Sequence, residues 1–146
     1  MPNTLHLNAN LREVLAARLR PVAQEIADTG VEFLREKLDQ PGGGVHHPGL
    51  KSPSSLPGQY PARQSGALLA CIGSAERGPL SHEVGALNSV APVPVEAWAL
   101  EFPRPANSPI ARETEWGARP WISKALQDEE LHERLRQAVA RYSGKV

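Results

Sequence analysis

ALLACIGSAERGPLSHEVGALN, residues 67–88, decides the fold class. Ala67 to Ala75 and Leu80 to Asn88 read as two short strands, and Glu76, Arg77, Gly78 and Pro79 supply the turn between them. An antiparallel hairpin is the simple reading of that pattern. Around it the periodicity becomes helical, so the expected architecture is α+β: a small antiparallel β-sheet packed against a long N-terminal helix and a C-terminal helix.

On the N-terminal side, Leu11, Leu15, Leu19, Val22, Ile26 and Phe33 step at helical spacing and leave Arg12, Arg18, Glu25, Asp28 and Glu32 mostly elsewhere. This predicts an amphipathic helix over residues 5–40 with one apolar stripe. Asn10 can cap it, and Pro21, which cannot bond to the carbonyl of Ala17, should kink it or split it in two. Lys37 and Pro41-Gly42 mark its end. Between this helix and the hairpin lies PGGGVHHPGLKSPSSLPGQYPARQSG, residues 41–66, with five prolines and six glycines. Neither residue extends a helix or a strand well, so a long loop or arm is expected.

On the C-terminal side, Val95, Trp98, Ala99 and Phe102 predict a short helix at 94–102, with Pro94 in its first turn and Trp98 in the core. Pro103, Pro105 and Pro109 make a second loop, and Ile110 to Trp116 reads as a third, edge strand. A last helix over 120–143 opens at Pro120 and carries Ile122, Leu126, Leu131, Leu135, Ala138 and Tyr142 on one face. Its stripe slips by one position between Leu126 and Leu131, which points to a bend or break near Asp128, and Gly144 ends it. The chain is read as a single domain, 1–146, with the sheet region spanning 67–118.

Composition narrows the function classes. Of the 146 residues 40% are hydrophobic, enough for a modest core. Sixteen basic residues cancel sixteen acidic ones, leaving no global field to draw nucleic acid or an anionic membrane. No apolar stretch approaches the ~20 residues that span a bilayer, and the start lacks the pattern of a secretory signal. Cys71 is the sole cysteine, so an intrachain disulfide or a multi-cysteine zinc site is excluded and synthesis in a reducing cytoplasm is expected.

Candidate chemistry is thin. His46, His47, His82 and Cys71 have the ligand types zinc prefers, yet adjacent histidines rarely both ligate, and no second cysteine or nearby carboxylate completes a set. Loop histidines and a buried structural thiol are the better reading. Cys71 with His82 has the residue types of an activated thiolate, but Cys71 sits in an apolar run where it fills core space. No phosphate loop is present, and Glu129, Glu130 and Glu133 pair at helical spacing with Arg134, Arg136 and Arg141. No catalytic residue, cofactor or metal is therefore assigned, and the chain is not read as an enzyme. Trp116 and Trp121 flank a loop-to-helix corner, either as a contact hot spot or as anchors of the last helix.

The order of four motifs resembles the neck and tail-completion proteins of tailed bacteriophages. The motifs are HPG at 47–49, PARQSGAL at 61–68, WALEF at 98–102 and RPWI at 119–122. The chain departs from that pattern at Pro103, where a glycine is usual, at Cys71, where serine is common, and at Trp121, where phenylalanine is usual. The resemblance implies a structural virion protein, made in the host cytoplasm, that forms a ring of its own copies, a hexamer being favoured. The ring would join the head connector to the tail tube, touching adjacent neck, connector, tail-tube or terminator proteins, with DNA only passing through its channel and no membrane involved. On that reading Val45, His47, Leu50, Leu56, Tyr60, Arg63 and Arg119 are candidate inter-subunit contacts. Glu101 and Arg119, at the two ends of the second loop, could pair across it. The arm at 41–66, with few apolar residues to bind back on its own domain, would dock on another chain. The alternative is a small cytoplasmic regulatory or protein-binding module whose loop is ordered by its partner.

Overall fold

A computed structural model of the chain describes residues 9–46, 48–101 and 119–143. Its elements run α1 (Ala9–Leu38), α2 (Ala67–Ala70), β1 (Ile72–Gly78), β2 (Ser81–Ala86), α3 (Glu96–Glu101), α4 (Ile122–Leu126) and α5 (Glu129–Ala140). The fold is α+β, with, among the described residues, a two-stranded antiparallel sheet, a long N-terminal helix, a C-terminal helix and the Pro/Gly-rich loop at 41–66.

The hairpin forms where the sequence places it, but shifted toward the C-terminus. Residues 67–70 make a single helical turn, α2, and β1 then runs through Glu76 and Arg77 to Gly78. Gly66 starts that turn at φ +84°, a left-handed conformation that glycine adopts without a side-chain clash. The register pairs Ile72 with Ala86, Ser74 with Val84 and Glu76 with His82, and a bulge at Arg77 lets Gly78 meet Ser81. Residues two apart share a face of a strand, so these three pairs form the face that meets α1. Three contacts fix the alignment: Arg35 donates to the Ile72 carbonyl, Gly30 lies against Val84, and Arg20 pairs with Glu76. Going back along α1 therefore means moving toward the turn of the hairpin.

α1 is continuous through Pro21, so the split expected there does not occur. Ala17 and Pro21 are both exposed, which keeps the carbonyl freed by proline out of the core. The C-terminal helix does break where its stripe slips. α4 ends at Leu126, and Asp128 begins α5 by accepting from the Glu130 amide. α5 lies antiparallel to α1, because Glu25 pairs with Arg141, Glu36 with Arg134 and Lys37 with Glu130.

The core gathers Phe33, Leu34, Leu38, Ile72, Ala97, Trp121, Ala125 and Leu131. Cys71 is sealed beside it, its thiol donating to the Leu68 carbonyl, and burial pushes its pKa up. Trp98 is not core, for it stands 68% exposed. In α3 it is Ala97 that faces inward, because the carbonyl of Ala97 accepts from the Trp121 indole and fixes that side of the helix against the core. The expected third strand, Trp116 and Gly144 lie outside the described residues.

Trp121 is 4% exposed. Trp121→Ala should cost about 3–5 kcal/mol in urea unfolding, the usual range for emptying a core tryptophan site. Cys71 should resist alkylation in the native protein and react fully once it is unfolded.

Candidate functional site

The loop at 41–66 is not a free arm. Its base closes where the Arg63 amide donates to the Gln40 carbonyl, backed by an Arg63–Asp39 ion pair of 2.5 Å. Inside it, Gly44 N donates to Ser54 O and Ser54 N to Val45 O, while Gln64 clamps Ser52 N and Pro53 O with its two amide atoms. Gly42 passes so close to the carbonyls of Pro53 and Ser54 that any Cβ there would collide with them. With its ends held together and its interior bonded by its own groups, the segment folds back on itself rather than extending. Backbone hydrogen bonds, which need no apolar side chains, let a Gly/Pro-rich segment fold back on its own domain.

Tyr60 ties the loop to both helices. Its ring meets Phe33 edge-on at 6.3 Å, and its hydroxyl donates to Asp128 at 2.9 Å. Burial, then this bond, raises the Tyr60 pKa well above the ordinary value. Burial alone would also raise Asp128. The bonds from Tyr60 and the Glu130 amide, with Lys37 and Lys124 nearby, outweigh it and hold the carboxyl below its usual value.

The two ends of the second loop are braced by Glu101. Its carboxylate accepts from the amides of Trp121 (2.8 Å), Ile122 (3.0 Å) and Ser123 (2.8 Å), the donors left open at the start of α4. The Arg119 amide adds a bond to Leu100 O. Glu101 is thus committed to backbone amides. The Arg119 side chain is buried and donates to the Ser55 carbonyl at 2.8 Å, joining the end of the second loop to the first.

These bonds leave a cleft of about 410 Å³ whose walls include Leu38, Leu50, Pro61, Leu68, Ala99 and Leu100, with Arg63, Glu96 and Arg119 around them. Of the candidate contact residues, Leu50, Arg63 and Arg119 come together here. Tyr60 lines a smaller hollow of about 270 Å³ with Lys37 and Lys124. Val45 and Leu56 are exposed and line neither hollow, while His47 lies outside the described residues. Cys71 and His82 are not neighbours. Cys71 adjoins the Ile72–Ala86 end of the hairpin and His82 faces Glu76, four residues or about 14 Å along the strand. Among the described residues no three His, Cys, Asp or Glu side chains gather into a group that could hold a metal. No helix among them is long and apolar enough to cross a membrane.

The sequence reading missed one exposed surface. Leu11, Val14, Leu15 and Leu19 are 37 to 50% exposed, although they continue the stripe that buries Phe33 further along α1. A 30-residue helix is about 45 Å long, while a seven-residue strand covers about 23 Å. Arg20 already meets Glu76 near the hairpin turn, so the preceding turns of α1 overhang the sheet. Comparing helix length with strand length would have found this.

The chain matches no protein-family model, no curated protein and no solved structure.

Glu101→Ala should cost about 1–3 kcal/mol, as the loss of charge-assisted caps does. Burial pushes the Glu101 carboxyl up, but its hydrogen bonds to Ser123, Trp121 and Ile122 bring it below the ordinary 4.5. A lowered carboxylate binds fewer protons when folded, so its contribution is complete above 4.5 and fades as pH falls through the folded value. In thermal unfolding across that window, the wild type should lose stability with acid and Glu101→Ala should lose less.

Proposed function

We propose that this chain is a structural virion protein of the phage neck or tail top, forming with its own copies a closed ring that joins the head connector to the tail tube around the DNA channel. One observation carries the reading. The segments that resemble the neck and tail-completion proteins are far apart in sequence, and they converge on one cleft. Residues 61–68 line it, Ala99 and Leu100 of WALEF line it, Arg119 of RPWI lines it, and Leu50 follows directly after HPG. Glu101 of one motif also caps the helix opened by another. Motifs spaced by sequence but joined in space are what a shared assembly surface would need.

A ring also needs exposed apolar surface beyond the scattered single residues of an ordinary monomer. The overhanging stripe of α1 supplies it, as do Val45 and Leu56 on the loop. With equal numbers of basic and acidic residues, copies can approach without a net repulsion.

The test is genetic and structural. A tailed phage with this gene interrupted should yield filled heads and separate tails, and the wild-type gene supplied in trans should restore joined particles that contain the protein. Joined, infectious particles without it would sink the reading. Val45→Ser with Leu56→Ser alters only exposed side chains, so it should leave the thermal midpoint unchanged while lowering the yield of joined particles severalfold.

A further inference from the structure

We propose that the overhanging N-terminal third of α1 in one copy seats its leucine stripe in the cleft of the next copy, so that the chain assembles head to tail through two different surfaces. The proposal rests on the ring reading above and names the contact that would build the ring.

The two surfaces complement each other in chemistry. Leu11, Val14, Leu15 and Leu19 lie at i, i+3, i+4 and i+8, one face of a helix. The cleft is walled by leucines and proline and, at about 410 Å³, is large enough for side chains rather than solvent alone. Charge agrees. Among the described residues Arg12 and Arg18, which flank the stripe, have no acidic partner. Of the charged residues around the cleft, Arg63 is held by Asp39 and Arg119 is buried, which leaves Glu96 as the exposed charge without an opposite partner among the described residues. The helix brings exposed, unpaired positive charge and the cleft an exposed, unpaired carboxylate at Glu96.

The occupant has to come from another copy. Leu38 lines the cleft at the far end of the same continuous helix. Leu19 and Leu11 stand 19 and 27 residues before it, about 28 and 40 Å away at 1.5 Å per residue. A chain cannot reach its own cleft with its own stripe. Stripe-on-stripe pairing about a two-fold axis at Leu15 is the obvious rival. It would set Arg12 of each copy against Arg18 of the other, opposing like charges. Joining two different surfaces avoids this, and such contacts generate rings when the rotation closes.

The test uses the full chain, with oligomer mass read by light scattering and native mass spectrometry. Wild type should form one closed species, an integral multiple of the 15.8 kDa chain. Leu15→Arg, at an exposed site, should keep its far-UV circular dichroism and raise the half-assembly concentration at least about tenfold. Arg12→Glu with Arg18→Glu should weaken assembly, and adding Glu96→Arg should restore it. Under mild oxidation Leu15→Cys with Leu50→Cys should cross-link into a ladder ending at the ring, while Leu15→Cys alone should not cross-link, since native Cys71 is sealed.

A wild type that stays monomeric at every concentration would overturn the proposal, as would dimers from Leu15→Cys alone. Full assembly of Leu15→Arg would overturn the helix-in-cleft contact and leave the neck reading standing. A ring built by this contact that never enters tailed particles would do the reverse.

Discussion

Phe33 is where three separate parts of the chain close on one another. It comes from α1, it is fully buried, and the Tyr60 ring of the loop meets it edge-on. Lys37 Nζ and the Arg134 guanidinium stand 5.2 and 5.5 Å from its ring centre, so the cations of α1 and α5 cover what the loop does not. Among the described residues few large side chains are buried, with Phe33, Ile72 and Cys71 the largest that are fully enclosed. In a core this small, one aromatic ring decides how far the helices and loop can approach.

Around that centre the open ends of the helices are met by carboxylates from well-chosen positions. Glu101 takes three amides at the start of α4, and Asp128 takes the Glu130 amide at the start of α5 while accepting from Tyr60. Each amide bond satisfies a donor left open at a helix start, Glu101 thereby tying α3 to α4, and the Tyr60–Asp128 bond fastens the loop to α5. The described residues of the loop at 41–66 therefore have a defined path although they contain no regular structure, and that path forms one wall of the cleft.

The same economy explains the exposed surface. A hairpin of six- and seven-residue strands can cover only part of a 30-residue helix, and the stripe of that helix does not end where the cover does. The uncovered leucines are costly to a monomer in water and useful to an assembly. A helix that runs on past its own domain carries its apolar face to a neighbour while the rest of it stays anchored. The buried Ala27, Phe33, Leu34 and Leu38, with Arg35 on the Ile72 carbonyl, supply that anchor.

The sequence by itself determined the α+β class, the long N-terminal helix, the hairpin, the burial of Cys71 and the break before Asp128. Each depends on local periodicity, on a turn or cap residue, or on the apolar run around it, and neighbours in sequence set those. It misplaced the first strand by several residues, because ALLA suits a helical turn as well as a strand and only Gly66 at φ +84° selects the turn. Trp98 was misjudged because helical spacing says which residues share a face, not which face turns inward; the Trp121 indole bond to Ala97 decided that. The folded-back loop was illegible for a related reason, since its backbone-to-backbone bonds carry no residue signature and side-chain partners such as Tyr60 and Asp128 lie far apart in sequence. Tertiary structure alone decided that Glu101 caps a helix 20 residues away, that the motifs share a cleft, and that the leucine stripe outruns its cover. Those are relations of distance between segments, which the three-dimensional packing sets and local spacing does not contain.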